Sequence, residues 1–547
     1  MLDQNTYDVI VVGGGIAGLT SSAYLAKNGL KTILFEKADK VGGLVNSFKY
    51  KGFTYDGGIR AFENSGILLP MLKQLGIDIP LVPNMVTIGI EQDFVRLKNR
   101  DSLFEYQSLL NKKFPENTKD IEKIINEIKK IMGYMDVLYG VDNPLFVDYM
   151  QDMKYIFKTL LPWLIKYQIK IDKVKNLNEP INEYLNKFTN NQSLIDVITQ
   201  HFFKNTPTFF ALSYFGLYLD YSYPFGGTGV LIDKIAEYII NNGGRLETKT
   251  EVVNIDVEKK IVKTNDGREF KYKKLIWCGD MRMLYSTIDK KTIRDKKTSE
   301  KIDLQGDLVN KNIGGDSILT IFMSVNLDKV YFENICGPHS FYTPNTKGQS
   351  KIEVNSWEEI LSNDSLDELE KRNGIEKWVE QYLVLTTYEI SCPSLRDPSL
   401  APIGQTGLII STLLDYRLVK YIADNGWYEE FKKFCEEKIV AVLSSSIFPT
   451  LKENMIEVQC STPLTLERMT SNSEGAITGW AFTGGELPTE NRFKQIANSV
   501  NTPIPNIYQA GQWSFSPSGL PVSILTGKLA VDAILKKLKN VSQDTHI

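Results

Sequence analysis

The chain is expected to be an α/β protein built around a parallel-sheet nucleotide fold, and three stretches of sequence carry that expectation. Residues 7–12 form a short β-branched apolar run that reads as a buried parallel strand and leads straight into Gly13-Gly14-Gly15-Ile16-Ala17-Gly18. Ile16, Leu19, Ala23 and Ala26 then share one face of a helix, and residues 31–36 supply a second strand ending at Glu36. At the far end, residues 506–511 read as a strand closing on glycine. An amphipathic helix over 522–538 follows, with lysines at its C-terminus, where cations suit the helix dipole.

Between these ends the pattern changes in order. From about residue 104 to 221 the chain is rich in helix formers, lysine and aromatics, with helical spacing over 121–135 and 149–171, which predicts an inserted helical region. Pro162 should bend the second of these helices. After Tyr223-Pro224-Phe225-Gly226-Gly227, residues 230–240 predict a helix and 245–257 a stretch with strand alternation. Residues 261–264 and 269–272 predict a hairpin about Asp266-Gly267, and 275–278 a further apolar strand, together a small β-meander. Residues 289–311 and 351–377 are strongly polar and read as solvated loops and surface helices. The longest apolar stretch, 209–219, is too short to span roughly 30 Å of hydrocarbon as a helix, so no transmembrane segment is expected.

Composition narrows the function classes. The 547 residues correspond to three or four domain-sized units of about 150 residues. Apolar residues at 42% and charged residues at 24% match globular chains, which excludes wholesale disorder, a collagen-like repeat and a membrane-embedded bundle. With 63 basic residues against 66 acidic ones, no global positive field exists to hold nucleic acid or anionic lipid, so any membrane attraction must be local. The five cysteines are far apart and contain no CxxC, which argues against a disulfide framework and points to a reducing compartment. His201, His339 and His546 are the only histidines, too few for a multi-histidine centre, and no metal is expected. The N-terminus lacks the basic-then-apolar order of a signal peptide, so a cytoplasmic protein with at most peripheral membrane contact is expected.

The glycine turn has a chemical reading. A dinucleotide carries a doubly charged pyrophosphate, and a helix N-terminus offers unpaired N–H groups and a partial positive charge in place of its lost hydration. Gly13 relaxes the turn, Gly15 removes a Cβ that would strike phosphate, and Gly18 lets helix and strand pack closely. The Glu36 carboxylate can accept hydrogen bonds from the adenosine ribose. A second glycine cluster, Gly42-Gly43 and then Gly57-Gly58, has no role in a minimal NAD site; it resembles the flavoprotein pattern in which ExxxxxGG brings backbone close to the FAD ribityl and phosphate region, and that resemblance favours FAD over NAD.

These residues carry a family likeness: the chain resembles the phytoene desaturase-like flavoproteins, which include carotenoid desaturases, carotenoid cis-trans isomerases and retinol saturases. Beyond the N-terminal fingerprint, residues 223–233 are similar to the family's YPxGGxxxLxxAL segment, 461–470 to TPxTxxxxT and 503–511 to PIPGLYxxG. The resemblance implies an α/β, Rossmann-like FAD-binding domain of the glutathione-reductase/amine-oxidase type, discontinuous over 1–95, 225–285 and 476–547. It further implies a helical insert at 96–224, for substrate entry or membrane contact, and a mixed-sheet substrate domain at 286–475. The implied FAD contacts at the N-terminal side are Gly13, Gly15, Ile16, Ala17, Gly18, Glu36, Lys37, Gly42, Gly43, Leu44, Asp56, Gly57 and Gly58. Val253, Gly511, Gln512, Gly519, Leu520, Pro521 and Val522 complete the set, and the dipole of the helix opened by Pro521 would stabilise negative charge on the reduced ring. The chain departs from the family at Leu44, where an arginine is usual, and at Phe515 and Ser518, which replace smaller residues beside the flavin.

In such enzymes the resemblance implies that a C–C bond of a long apolar substrate lies against the isoalloxazine, with a hydride exchanged at N5 and a proton at the adjacent carbon. Arg60 and Glu63 are the candidate polarising or proton-handling groups, against the alternative of a structural ion pair or exposed loop charges. His201 reads as a satisfied core histidine and Cys278 as core. An apolar stripe, Tyr149, Met150, Met153, Ile156, Phe157, Leu160, Leu161, Trp163, Leu164 and Tyr167, is edged by Lys154, Lys158, Lys166 and Lys170. It suits either an interfacial helix or one packed inside. The expected function is desaturation or saturation of a carotenoid, retinoid or other unsaturated lipid, with an unidentified electron acceptor. A reduced-flavin cis-trans isomerase, an amine oxidase-like enzyme and a non-enzymatic flavin or lipid carrier are the competing readings.

Overall fold

Four consecutive apolar residues, 9–12, buried on both faces suit the inside of a parallel sheet, and the strand Thr6–Val12 places them there. The computed structural model describes residues 5–147, 155–175 and 177–544. In the first sheet Thr6–Val12 lies parallel between Glu269–Trp277 and Thr32–Phe35, with Val9, Ile10 and Val11 fully buried. Arg245–Glu247 adds to Thr32–Phe35 at one edge, Ile261–Thr264 and Val252–Asp256 form the other, and Ile507–Gln509 pairs parallel with the end of Glu269–Trp277.

Two sequence expectations change here. Residues 269–272 and 275–278 are one strand, Glu269–Trp277, whose first half alternates exposed and buried as a hairpin partner and whose second half is buried throughout beside Thr6–Val12. Lys273 and Lys274 look like an interruption but sit where a one-sided strand becomes a two-sided one. The 245–257 stretch splits into Arg245–Glu247 and Val252–Asp256 on opposite edges of the sheet. Its crossing segment is held by Lys249 N–H to Ala38 O and Thr250 N–H to Glu36 O.

The closing helix, Leu520–Asp544, packs on Ile16–Lys27, where Gly527 lies so close to Ala17 O that a Cβ would sit 2.7 Å from it. Both helices therefore start at the same end of the parallel strands, the end where such folds bind their ligands.

The second sheet runs Met455–Ser461, Ser317–Val325, Thr406–Leu414, Tyr388–Ser391, His339–Thr343, Val86–Ile90 and Asp93–Leu97. It is antiparallel except where His339–Thr343 runs parallel to Val86–Ile90. One rung crosses it in register: Ile88, Phe341, Glu389, Ser411, Thr320 and Ser461. Paired residues point to the same face, so a polar row is laid over one side of this sheet.

The expected helical region is present. Thr118–Tyr139 buries Ile121, Ile124, Ile125, Ile128 and Ile131, the spacing of a single helix face. Of the apolar stripe, Tyr149, Met150, Met153 and Lys154 lie outside the described residues. The remainder forms a π-helical turn at Ile156–Leu160 followed by Leu161–Lys175. Pro162 sits in the first turn of the second helix, and the π turn absorbs the missing N–H just before it. The polar stretches hold capped helices, Lys296–Lys311 and Glu368–Leu385, which bury Ile302, Val309, Ile375 and Val379 on their inner faces. No helix among the described residues is long and apolar enough to cross a membrane.

Candidate functional site

The first glycine turn is shaped by close approach. Gly13 adopts φ +101°, and a Cβ on Gly18 would lie 1.9 Å from Gly13 O, so helix and strand touch there with no room for a side chain. Gly15 is different: a Cβ there would meet nothing within 4 Å, because it faces a cavity. The helix N-terminus at Gly15 carries no side-chain cap and no acidic residue in its first turn, which leaves it free to receive an anion. Gly14 N–H donates to Glu36 Oε2 at 2.6 Å and Ala38 N–H to Oε1 at 2.8 Å, so the carboxylate is fixed at the cavity wall with lone pairs to spare.

That cavity measures about 820 Å³. Its walls bring together Gly13, Gly15, Ile16, Ala17, Glu36, Gly42, Gly43, Leu44, Gly57, Gly511 and Gln512. Gly42 N–H donates to Gly14 O at 2.8 Å, joining the two glycine clusters, and Gly511, at φ +99°, donates its N–H to Thr526 Oγ1 at 2.9 Å. The opening turn and the closing strand thus meet. Thr248, in the crossing segment, also lines the cavity, a residue that no sequence motif marks.

Not every expected contact is brought to this wall. Gly18 serves the helix–strand contact. Asp56 is 1% exposed, and its oxygens accept from Ser47 Oγ (2.8 Å), Tyr223 OH (2.7 Å), Thr228 N–H (2.8 Å) and Thr228 Oγ1 (3.0 Å), which makes it a hub inside the protein. Lys37 is exposed, and Val253 is 46% exposed on the edge strand Val252–Asp256.

Gly58, Gly519 and Leu520 line a second cavity of about 300 Å³, which adjoins the first and shares Ile16, Leu44, Val45, Leu466, Gln512 and Ser523 with it. Phe202, Phe210, Tyr214, Tyr218, Tyr221 and Phe341 make this chamber aromatic, while Glu389, Ser411 and Thr412 bring the polar side of the second sheet into it. A smaller opening of about 150 Å³, lined by Pro521, Val522, Trp163 and Tyr167, joins the chamber at Glu63, Phe210, Tyr214 and Ser518.

Both expected polar groups line the chamber. Arg60, 4% exposed, donates from Nη1 to Asp56 O (2.9 Å) and Gly58 O and from Nη2 to Ser411 Oγ (3.1 Å), tying the glycine loop to the second sheet. Burial depresses its guanidinium pKa against the opposing charges of Glu389 and Asp56. Glu63 stands where chamber and opening join, and burial pushes its carboxyl up to about 7, with the Ser65 hydroxyl opposing and Asp220 reinforcing. His201 is not the satisfied core residue expected from its neighbours. It lines the chamber with Nε2 buried and unpartnered, and burial lowers it to about 4, so it is neutral at physiological pH. Burial raises the Cys278 thiol to about 12, which leaves it protonated and inert.

Sequence reasoning missed Glu389 and its partners. His339 Nε2 meets Glu389 Oε1 at 2.8 Å, His339 Nδ1 meets Asn84 Nδ2 at 2.9 Å, and Asn84 Oδ1 accepts from Arg396 Nη1 at 2.9 Å. Arg396 lies 3.8 Å from the Tyr223 ring centroid and donates to Ser391 Oγ at 2.6 Å. The alternation Tyr388-Glu389-Ile390-Ser391 reads as a strand with one wet face; that this face looks into a chamber is a tertiary fact.

The cradle therefore fits FAD. The uncapped helix N-terminus and Gly15 would hold the pyrophosphate, Glu36 the adenosine ribose, and Gly42, Gly43, Gly511 and Gln512 the stretch leading to the chamber, where the ring would sit. Comparisons with known proteins agree. The family model described as flavin containing amine oxidoreductase matches residues 16–310, more than half of the 547. Prolycopene isomerase 1 of an Oncidium hybrid cultivar is 23% identical over 98% of this chain and 85% of its own length. All-trans-retinol 13,14-reductase of Danio rerio is 22% identical over 92% of this chain and 82% of its own length. Among solved structures, a triple mutant of putrescine oxidase superposes with a TM-score of 0.60 at 12% identity, over 97% of this chain and 99% of that one. The resemblance to the phytoene desaturase-like flavoproteins thus holds from one end of the chain to the other, and the chain belongs to the flavin-containing amine oxidoreductase family.

Proposed function

We propose that this FAD-dependent oxidoreductase acts on carbon–carbon bonds of a long, apolar, unsaturated substrate such as a carotenoid or retinoid. The observation that carries the reading is an aromatic chamber that shares a wall with the dinucleotide cradle. The relatives point the same way: one is named for reducing a retinoid and one for isomerising a carotenoid. When bound, FAD supplies hydride chemistry. The chain's residues do the rest: the aromatic walls exclude water and align the polyene, Arg60 holds the glycine loop against the second sheet, and Glu63, poised near neutrality, carries a proton to or from the chamber at its carboxyl.

Isomerisation is the second reading, favoured by the name of a relative that spans nearly the whole chain. Product analysis separates the two. A gain or loss of two hydrogens in product mass supports redox chemistry, whereas unchanged mass with altered double-bond geometry supports isomerisation. Peroxide released from simple amines, with no change to any polyene, would overturn both in favour of an amine oxidase.

Substrate entry completes the reading. Phe157, Leu161, Leu164, Ile165 and Ile169 are exposed along the helix beside the small opening, with Lys158 and Lys166 exposed among them, while Trp163 and Tyr167 turn inward to line it. This face suits the surface of an anionic bilayer, from which an insoluble substrate would pass into the opening.

A further inference from the structure

The polar row in the chamber has a direction that can be read from one end. Arg396 has donors only, so the Asn84 oxygen must face it and the Asn84 NH₂ must face His339. His339 Nδ1 is then an acceptor, its proton is on Nε2, and that proton is donated to Glu389 Oε1. Burial alone would raise the Glu389 carboxyl, but the His339 hydrogen bond and the charges of Arg60 and Arg396 outweigh it and hold the group below the usual carboxylate range. Its second oxygen has no hydrogen-bond partner among the described residues. The 30% of its side chain left open lies deep in the molecule, so it opens onto the chamber.

His201 stands on the same wall. The Phe341 ring lies 5.2 Å from the His201 ring and 5.5 Å from that of His339, between an unpartnered imidazole nitrogen and the relay that sets Glu389. A pure hydrocarbon filling this chamber would strip water from a carboxylate oxygen and an imidazole nitrogen and return no hydrogen bond to either. An ammonium is not called for at Glu389 either, since the charges of Arg60 and Arg396 already oppose those of Glu389 and Asp56 there.

We propose that the chamber takes the hydroxyl-bearing end of an apolar polyene alcohol, the hydroxyl donating to Glu389 Oε2 with His201 Nε2 as its second polar contact. This rests on the chamber being the substrate site. Entry past Trp163, Tyr167 and Glu63 leads the polar end to Glu389 and His201, which line the chamber and not the opening.

The test is equilibrium binding to the flavin-loaded protein, kept oxidised and in the dark, read by quenching of tryptophan fluorescence. The probes are all-trans-retinol and the hydrocarbon in which CH₃ replaces its CH₂OH. The alcohol should bind at least about tenfold tighter, a difference of roughly 1.4 kcal/mol. Glu389→Gln should cut that preference several-fold, and Glu389→Leu should abolish it while tightening hydrocarbon binding at least several-fold, since no carboxylate is then stripped of water. His201→Phe, which removes no charge, should also reduce the preference, and it carries the test if either Glu389 variant fails to retain FAD. Equal affinity for alcohol and hydrocarbon, a preference that survives in all three variants, or tighter binding of retinylamine than of retinol would overturn the proposal. A protein that shows the preference yet leaves every polyene unchanged in mass and geometry would sink the proposed reaction and leave this assignment standing.

Discussion

Gly15 and Gly18 are spelled identically in the glycine motif, yet the structure gives them opposite reasons for lacking a side chain. A Cβ on Gly18 collides with backbone, whereas one on Gly15 meets open cavity. Gly18→Ala should therefore lower stability even without cofactor, by about 1–3 kcal/mol as an overpacking substitution. Gly15→Val should fold with an unfolding temperature close to that of the flavin-free parent and purify colourless. Absorbance at 450 nm per mole of protein, with thermal unfolding of the flavin-free forms, distinguishes the two. Yellow Gly15→Val protein would refute the assignment.

Glu63 makes a prediction of different sign from an ordinary carboxylate. Its folded-state pKa, about 7, lies above the usual 4.5, so the folded protein holds a proton that the unfolded chain releases. Its contribution is favourable below about pH 4.5 and is lost as pH climbs through 7, up to about 3 kcal/mol in all. The groups facing it are Ser65, Asp220 and Tyr221. Glu63→Gln should flatten the decline between pH 5 and 8 and be the more stable form at pH 8. Urea unfolding at both pH values checks it, and parallel profiles for parent and variant would show that Glu63 is not protonated in the fold.

Among the elements, the helix Leu161–Lys175 carries the clearest test. Trp163 and Tyr167 look equivalent to Leu164 in the apolar stripe, but they line the opening whereas Leu164 and its neighbour Ile165 are exposed. Ile165→Asp should weaken binding to anionic vesicles at least several-fold and leave activity on detergent-dispersed substrate intact, whereas Trp163→Glu should impair both. Vesicle sedimentation with a parallel activity assay separates them, and undiminished binding by Ile165→Asp would remove the membrane reading. Elsewhere, elements were legible where local pattern and burial coincide, as in Thr6–Val12, Ile16–Lys27 and the 261–272 hairpin. They were misread where one strand changes environment along its length, as in Glu269–Trp277.

For the whole molecule, the cradle gathers walls from residues 13–17, 36, 38–49, 248, 278–279, 511–513 and 523 and from within 226–233 and 466–472, so FAD would bridge segments distant in sequence. Any ligand that binds only the folded state stabilises it by mass action, by about 2.7 kcal/mol at a hundredfold excess over its dissociation constant. The unfolding temperature should rise with added FAD in the parent and stay flat in Gly15→Val; a parent indifferent to FAD would contradict the cradle. Arg60 and Asp56 join the same segments without cofactor, since Arg60 spans from the glycine loop to Ser411 and Asp56 gathers donors from residues 47, 223 and 228.

What the amino-acid order decided by itself is the nucleotide end of the protein. Strand, glycine turn, helix N-terminus and Glu36 are neighbours in the chain, and their chemistry is local: backbone amides and one carboxylate at fixed spacing. What only the folded chain decided is the far side of the cavity. Asn84, His339, Glu389 and Arg396 are separated by up to 312 residues and become one relay only because four segments are packed together around the second sheet. Hydrogen-bond direction, and the cost of leaving a buried polar atom unpaired, depend on which groups face each other across space, and no pattern of spacing along a single strand encodes that.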